Sequence, residues 1–269
     1  QDYALFPHLT VFENIIYGLT DHSRKEKRDR AREVLRLVNL QPCENKYPYE
    51  LSGGEQQRTA LARALAPSPS IVLLDEPFSN LDDIMKDQVR EDIRTILKQT
   101  RTTAVFVTHD TEDALSTADR IAVLKSGVIH QIADPQTIYQ SPTSVYVANF
   151  FGKVNVVPAE AARDGFHTEA GFIRMAHEQE PGTAARLLIR PEDIHLCQNA
   201  REEYRAQVLN VSYYGSHIQV LACVRTLELL IRSSNDVSVT LGQPVSINLN
   251  TDKIRILEDK PAPEAAQQA

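Results

Sequence analysis

Three short apolar runs separated by helical segments constrain the first half of the chain most strongly. Residues 71–74 and 103–107 are continuous, mainly apolar runs, which is typical of strands buried on both faces of a sheet. Residues 121–124 form a third apolar run that turns at Gly127, and they predict a third strand. Residues 81–99 carry apolar side chains at helical spacing, and residues 113–118 also favour a helix. The order strand, helix, strand, helix, strand predicts a parallel α/β arrangement.

Two more helices are predicted before the first of these strands. Residues 24–38 are highly charged but keep their apolar side chains on one side, as an amphipathic helix does. Residues 55–66 are rich in Ala, Leu, Gln and Arg and stop before Pro67, which is a helix stop signal.

The composition changes near residue 151, where short β-branched or alternating runs are punctuated by Gly and Pro. These runs are 185–189, 206–211, 218–224, 227–231 and 245–249. Short strands at about ten-residue spacing predict a small all-β domain of the barrel type. We therefore expect an α/β domain over residues 1–152, an all-β domain over 153–258 and a disordered tail over 259–269.

Composition and charge argue against several classes of protein. The 269 residues include 29 Lys and Arg against 36 Asp and Glu, so a global basic surface for nucleic acid is absent. No apolar run approaches the roughly 18 residues of a membrane-spanning helix. The three cysteines are far apart, which indicates neither a disulfide framework nor a zinc site and fits a reducing cytosol. The first residues lack the pattern of a secretory signal, and the start at Gln1 leads us to expect a fragment or a processed product.

The octet LSGGEQQR at residues 51–58 begins one of the predicted helices. Ser52 and Glu55 have the spacing of a capping box, which by itself explains both residues. Gly53 and Gly54 leave backbone N–H groups uncovered at the positive end of the helix dipole, where a phosphate binds favourably. A bare Ser-Gly-Gly is weak evidence for such a site, whereas the full octet is far more specific.

Polar residues also follow two of the predicted strands. Asp75 and Glu76 come directly after the first strand and His109 follows the second, and α/β folds bind ligands at this end of their strands. Asp75 can supply an oxygen ligand to Mg²⁺, and Glu76 can orient or deprotonate water. Asp82 is explained by helix capping alone. A lone histidine such as His109 is usually structural, but its place beside the other strand end favours a functional role.

Taken in order, these motifs resemble those of the ATPase subunits of ABC transporters. The similar segments are LSGGEQQR for the signature motif, IVLLDE at 71–76 for Walker B, SNLD at 79–82 for the D-loop, His109 for the H-switch, and Gln1 with residues 2–11 for the Q-loop. The β-rich remainder resembles the importer subgroup with a C-terminal TOBE-type domain. It does so through residues 143–151, LIRPE at 188–192 and GQPV at 242–245.

This resemblance implies a fold and a set of roles. The fold is an incomplete P-loop NTPase core with a helical subdomain, followed by a small OB- or TOBE-like domain. ATP is expected between two head-to-tail subunits of a homodimer. The implied nucleotide-binding residues are Ser52, Gly53, Gly54, Gln57 and Asp82, with Asp82 linking the two subunits. The implied catalytic residues are Glu76 for the attacking water, His109 for the γ-phosphate, and Gln1, which serves Mg²⁺ together with Asp75.

One family motif, the Walker A loop GxxxxGK[ST], does not occur in the sequence. Gly152-Lys153 is followed by Val154, and Val147 stands where the first glycine belongs. A P-loop wraps phosphates with backbone N–H groups and a lysine, so this chain alone is expected to hydrolyse little ATP. Truncation upstream of Gln1 is the interpretation we favour, and a natural pseudo-ATPase is the alternative.

The resemblance also implies partners and a location. The protein is expected to power solute import with ATP and Mg²⁺, as a peripheral protein on the cytoplasmic face of the inner membrane. It would contact permease subunits, through residues 2–17, and indirectly serve a periplasmic or extracellular solute-binding protein. Overall similarity favours ferric iron as the solute. The four histidines of the TOBE-like region are scattered, so a regulatory and dimer-supporting role is expected there.

Two functions from other classes stay open. ABC-type ATPases of DNA repair and of the ribosome bind nucleic acid, which the acidic balance and the TOBE-like region disfavour, so no nucleic-acid partner is expected. A non-hydrolysing docking or regulatory module is favoured by the missing Walker A motif.

Overall fold

The computed structural model describes residues 4–20, 23–79, 81–197 and 204–258, without the side chains of Asp83, Ile84 and Glu258. The chain divides into two compact units, residues 1–119 and 120–269. Gln1 and the predicted tail 259–269 lie outside the described residues. The two compact units divide at residues 119 and 120. This division does not test the predicted domain boundary between residues 152 and 153, which stays a prediction.

Within the described residues, the first unit contains five α-helices and two strands. In chain order these are α1 (Val11–Tyr17), α2 (Arg24–Leu37), α3 (Gly53–Leu65), β1 (Ile71–Asp75), α4 (Asp83–Thr100), β2 (Thr103–Val107) and α5 (Thr111–Thr117). Capping boxes begin α1, α2 and α3, with Thr10, Ser23 and Ser52 as caps. Asp82 and Asp110 cap α4 and α5. Four of these helices were predicted, and α1 was missed although Thr10 and Glu13 have capping-box spacing.

The two strands of the first unit pair in parallel, with Asp75 opposite Val107. One face of this sheet packs on the hydrophobic core through Val72, Leu74, Ala104 and Phe106. On the other face Leu73 is 76% exposed and Val107 is 60% exposed. The expectation that these strands are buried on both faces was therefore wrong, because the described residues supply a packed layer on one side of the sheet only.

The second unit begins with a β-hairpin. It consists of β3 (Ile121–Lys125) and β4 (Val128–Ala133), joined by Ser126 and Gly127, both with positive φ. Tight hairpin turns require this conformation. The strand at 121–124 was predicted correctly, but β3 pairs antiparallel with β4 and does not extend the parallel sheet. The α6 (Pro135–Gln140) and α7 (Val145–Phe150) helices follow.

The remaining strands of the second unit, as far as its residues are described, form two five-stranded sheets. In chain order they are β5 (Asn155–Ala162), β6 (Gly165–Thr168), β7 (Gly171–Arg174), β8 (Ala184–Ile189), β9 (Ile194–Cys197), β10 (Arg205–Tyr213), β11 (Ile218–Val224), β12 (Leu227–Ser233), β13 (Pro244–Leu249) and β14 (Arg255–Glu258). The strand orders are β14-β8-β5-β6-β7 and β12-β11-β10-β13-β9. Residues of both sheets, such as Phe166, Leu187, Val220 and Ile231, share one hydrophobic core. The predicted all-β region is confirmed.

Candidate functional site

The start of α3 carries the serine and glycines of the LSGGEQQR octet. The Ser52 backbone N–H donates to Oε2 of Glu55 at 2.8 Å, and the Ser52 hydroxyl donates to the same oxygen at 2.9 Å. The Ser52 backbone hydrogen bond is the main reason that the pKa of Glu55 lies below its usual value. The predicted capping box is therefore present, and it keeps Glu55 ionised at the positive end of the helix.

Gly54 of the octet lies against helix α4, and Gly53 lies against Leu81, the residue before the cap of that helix. A Cβ on Gly54 would approach Cγ2 of Val89 to 3.0 Å, and a Cβ on Gly53 would approach Cδ2 of Leu81 to 3.1 Å. Close packing of the start of α3 against α4 and Leu81 thus explains the small residues, in addition to any role of their N–H groups. The same contact joins the octet to the helix that Asp82 caps.

Gln57, another residue of the octet, is buried. Gln57 is only 4% exposed, and its side-chain amide Nε2 donates to the carbonyl oxygen of Pro77. Gln57 thereby ties α3 to the segment that directly follows Glu76. The assignment of Gln57 to nucleotide binding stays a prediction, and the contact that the structure gives this side chain is internal.

The carboxyl ends of β1 and β2 bring Glu76 and His109 together. Nδ1 of His109 lies 2.6 Å from Oε1 of Glu76. Glu76 has a positive φ of 44°, a conformation that a non-glycine residue adopts only where its surroundings fix it. Its N–H donates to the Val107 carbonyl at 2.7 Å, and its carbonyl accepts from Ser79. Asp75, the last residue of β1, is exposed at the same edge.

Asp82 and Asp110 hold the starts of the two helices around this edge. Oδ1 of Asp82 accepts from the Met85 N–H at 2.9 Å, and Oδ1 of Asp110 accepts from the N–H groups of Glu112 and Asp113. Partial burial raises the pKa of Asp110, whereas hydrogen bonds from the Asp113 backbone and from Lys86 lower it. The hydrogen bonds together outweigh the burial, so the pKa of Asp110 lies below its usual value.

An ionic cluster between α4 and α5 was missed by the sequence analysis. Nζ of Lys86 lies 3.3 Å from Asp110, and the Arg90 guanidinium lies 2.6 Å from Asp113. Arg90 and Asp113 are 8% and 4% exposed. The available signal was the spacing of Lys86 and Arg90, which are four residues apart and therefore share one face of α4.

A second group of polar side chains lies in the second unit. Arg190 is 8% exposed and donates to the carbonyl oxygens of Tyr139 at 3.2 Å, Ala148 at 3.0 Å and Gly152 at 3.2 Å. The Tyr139 hydroxyl donates to Glu192. Burial, the larger cause, and this hydrogen bond together raise the pKa of Tyr139 to about 12. These side chains border a cavity of about 140 Å³. The residues 190–192 that were singled out in the sequence thus fasten the segment around α6 and α7 to β8.

Comparison with known proteins decides the family. The ABC transporter family model matches residues 1–79, and the TOBE domain model matches residues 187–257. The Fe(3+) ions import ATP-binding protein FbpC of Brucella melitensis is 40% identical over 266 residues, which cover 96% of this chain and 75% of that protein. This chain belongs to the ATP-binding subunits of ABC importers.

Other members of this family are similarly close. FbpC of Rhizobium etli is 41% identical over 228 residues, covering 81% of this chain and 64% of that protein. The sulfate/thiosulfate import ATP-binding protein CysA 2 of Chromobacterium violaceum is 45% identical over 222 residues, covering 80% of this chain and 60% of that protein. The chain thus spans somewhat less than two thirds of the length of these two ABC subunits.

The family resemblance and the order of an ABC domain followed by a TOBE domain are therefore confirmed. Two further observations concern the described residues alone. Their helices include none with the length and apolar character that a membrane span requires. Their Asp, Glu, His and Cys side chains form no group of three or more that could hold a metal ion.

Proposed function

We propose that this protein is the ATP-hydrolysing subunit of a solute importer. The observation that carries the proposal is the 2.6 Å contact between Glu76 and His109 at the carboxyl ends of the two parallel strands, in a chain of the ABC family. A carboxylate and an imidazole held together at this edge can position a water molecule and a phosphate oxygen beside each other.

Each site residue has a role in this proposal. The Glu76 carboxylate orients the attacking water and accepts its proton, and His109 donates a hydrogen bond to the γ-phosphate. Ser52, Gly53 and Gly54 present their polar groups to the nucleotide held by a second subunit, and Asp82 lies at that subunit boundary. Gln57, in α3, would contribute to nucleotide binding. Gln1, which lies outside the described residues, would serve Mg²⁺ together with Asp75. Catalysis of this kind depends on positioning and charge stabilisation.

The residues at the end of β1 fit a magnesium–nucleotide complex. Mg²⁺ is commonly held by one or two carboxylates plus substrate phosphates, without a complete protein cage. Asp75 is an exposed carboxylate at this edge, and the described residues contain no larger cluster of metal-binding side chains. Asp75 would hold the ion, which when bound neutralises charge on the phosphates.

The transported solute is proposed from the relatives. FbpC of Brucella melitensis and of Rhizobium etli are named for Fe(3+) import, so we assign ferric iron to this importer. CysA 2 of Chromobacterium violaceum, named for sulfate and thiosulfate import, is as similar in sequence. Sulfate is therefore the competing solute.

The partners are proposed on the same basis. The subunit would form a homodimer and dock on permease subunits at the cytoplasmic face of the inner membrane, with a solute-binding protein acting outside. The TOBE domain would support the dimer and regulate turnover. A non-hydrolysing module is the second candidate, and the observation favouring it is that the sequence contains no GxxxxGK[ST] motif.

Uptake and hydrolysis together test the proposal. Protein from the complete reading frame should release phosphate from ATP in the presence of Mg²⁺. Cells that lack the gene should lose uptake of radiolabelled ferric iron while keeping uptake of radiolabelled sulfate. Loss of sulfate uptake alone would reassign the solute, and ATP binding without phosphate release would favour the non-hydrolysing module.

A further inference from the structure

Most of the His109 side chain is exposed to solvent, so its position is fixed mainly by its own backbone and by the contact with Glu76. The imidazole is 78% exposed, whereas the Glu76 side chain is 25% exposed. His109 is the middle residue of a three-residue connection between β2, which ends at Val107, and α5, which begins at Thr111. The position of the imidazole therefore depends on how the two ends of this connection are anchored.

The amino end of the connection is anchored by the sheet. The Val107 carbonyl accepts from the Glu76 N–H at 2.7 Å, so β2 is fixed to the same residue whose carboxylate contacts His109. The anchor at the carboxyl end is Asp110, which caps α5. Its backbone N–H donates to Oγ1 of Thr108 at 3.0 Å.

Helix α4 reaches this second anchor through two cationic side chains. Lys86 contacts the Asp110 carboxylate at 3.3 Å, and Arg90, one turn later, contacts Asp113 at 2.6 Å. Arg90 also contacts Asp87 at 2.6 Å. These bonds join the helix that Asp82 caps to the start of the helix that follows His109.

We propose that Lys86 and Arg90 are positioning residues that hold His109 against Glu76 by anchoring Asp110 and Asp113 to helix α4. The expected effect on the rate of ATP hydrolysis rests on the proposed function. The expected effect on the position of the His109 imidazole does not. Arg90 supplies the buried part of the anchor. Lys86 supplies the part nearest His109, since Asp110 is the next residue in the chain.

The test uses variants of protein expressed from the complete reading frame. K86M removes the cation, K86R restores it, and D110N removes the carboxylate charge while asparagine keeps the helix cap. K98M is the matched control, because Lys98 is an exposed lysine on the same helix. Lys86 is preferred to Arg90 for this test, since loss of the buried Arg90 could unfold the unit.

The kinetic readout separates kcat from KM. K86M should lower kcat for ATP hydrolysis about tenfold, leave the KM for ATP within about twofold, and leave the melting temperature near that of K98M. K86R should recover most of kcat. The double variant K86M/D110N should be no slower than the slower single variant, because each substitution removes the same contact between Lys86 and Asp110. Wild-type kcat in K86M, or additive losses in the double variant, would overturn the proposal.

A second readout requires no turnover and so separates this proposal from the proposed function. The imidazole NMR signal of His109 is assigned by its loss in H109Q, and it should move in K86M and return toward its original position in K86R. If wild-type protein does not hydrolyse ATP but this signal moves, the proposed function fails and the positioning role stands. An unmoved signal in K86M refutes the positioning role.

Discussion

Nδ1 of His109 lies 2.6 Å from Oε1 of Glu76 although the two residues are 33 positions apart in the chain. The contact follows from the parallel pairing of β1 and β2, which places Asp75 opposite Val107 and so brings the segments after both strands to one sheet edge. The imidazole is exposed and the carboxylate is largely covered. The imidazole is therefore the more accessible of the two groups to a molecule arriving from solvent.

The two glycines of the octet should respond differently to alanine. G54A would bring a methyl group to 3.0 Å from Val89, whose β-branched side chain is stiff, and should destabilise the protein by about 1–2 kcal/mol. G53A meets a terminal methyl of Leu81 at 3.1 Å, and better helix propensity offsets the crowding, so its effect should stay within about 0.5 kcal/mol. Urea unfolding of both variants measures the difference. Equal losses would contradict the packing argument.

Arg90 allows a buried and an exposed ion pair to be compared on one side chain. D113A removes a carboxylate that is 5% exposed and should cost about 3–5 kcal/mol, because the guanidinium then stays buried without this partner. D87A removes a carboxylate that is 82% exposed and should cost less than about 1 kcal/mol. The measurement is the free energy of unfolding in urea. A cost for D87A as large as that for D113A would contradict the expected dependence on burial.

Stability should fall in acid because of the capping carboxylates. The Ser52 backbone hydrogen bond lowers the pKa of Glu55 in the folded state, so folding favours the ionised form. The resulting stabilisation is fully present above the unfolded-state pKa and is lost as the pH falls through the folded-state pKa. E55Q keeps a capping-box side chain but removes the titration. The unfolding free energy of E55Q should therefore decrease less between about pH 5 and pH 3 than that of the wild type. An identical pH dependence would refute this assignment.

Arg190 should not be replaceable by lysine. Its guanidinium donates to the carbonyl oxygens of Tyr139, Ala148 and Gly152 and lies 4.2 Å from the Tyr139 ring. An ammonium group is a point charge and cannot reproduce this planar arrangement, so R190K should lose about 1–3 kcal/mol of stability. R163K, at an exposed position between β5 and β6, is the control and should change little. A neutral R190K would show that these hydrogen bonds do not fasten α6 and α7.

The elements that the sequence predicted best are those with strong local signals. Helix α2 has a capping box at Ser23 and one apolar side, and β2 was predicted at its observed bounds, Thr103–Val107. The partner of β3 was missed, because only Ser126 and Gly127 signal the hairpin. Strands β6 and β7 have four residues each, too few to show an alternating pattern. Their position depends on pairing with distant parts of the chain, which local sequence does not encode.

The candidate site was predictable where its chemistry lies at the ends of strands. Asp75, Glu76 and His109 follow apolar runs, so the pairing of Glu76 with His109 could be anticipated from a parallel sheet. The burial of Gln57 against Pro77 and the ion pairs of Lys86 and Arg90 could not, because each depends on how α3 and α4 are oriented in the folded unit. The roles of these residues in hydrolysis stay predictions.

ATP hydrolysis by the E76Q variant of protein expressed from the complete reading frame tests the proposed role of Glu76 most directly. Removing the carboxylate should lower phosphate release about 10²–10⁴-fold while labelled ATP still binds, because the amide can neither accept the proton of the attacking water nor pair with His109 as a carboxylate does. E91Q, on an exposed face of α4, should hydrolyse ATP at the wild-type rate. Phosphate release by E76Q at the wild-type rate would show that Glu76 does not activate water at this site.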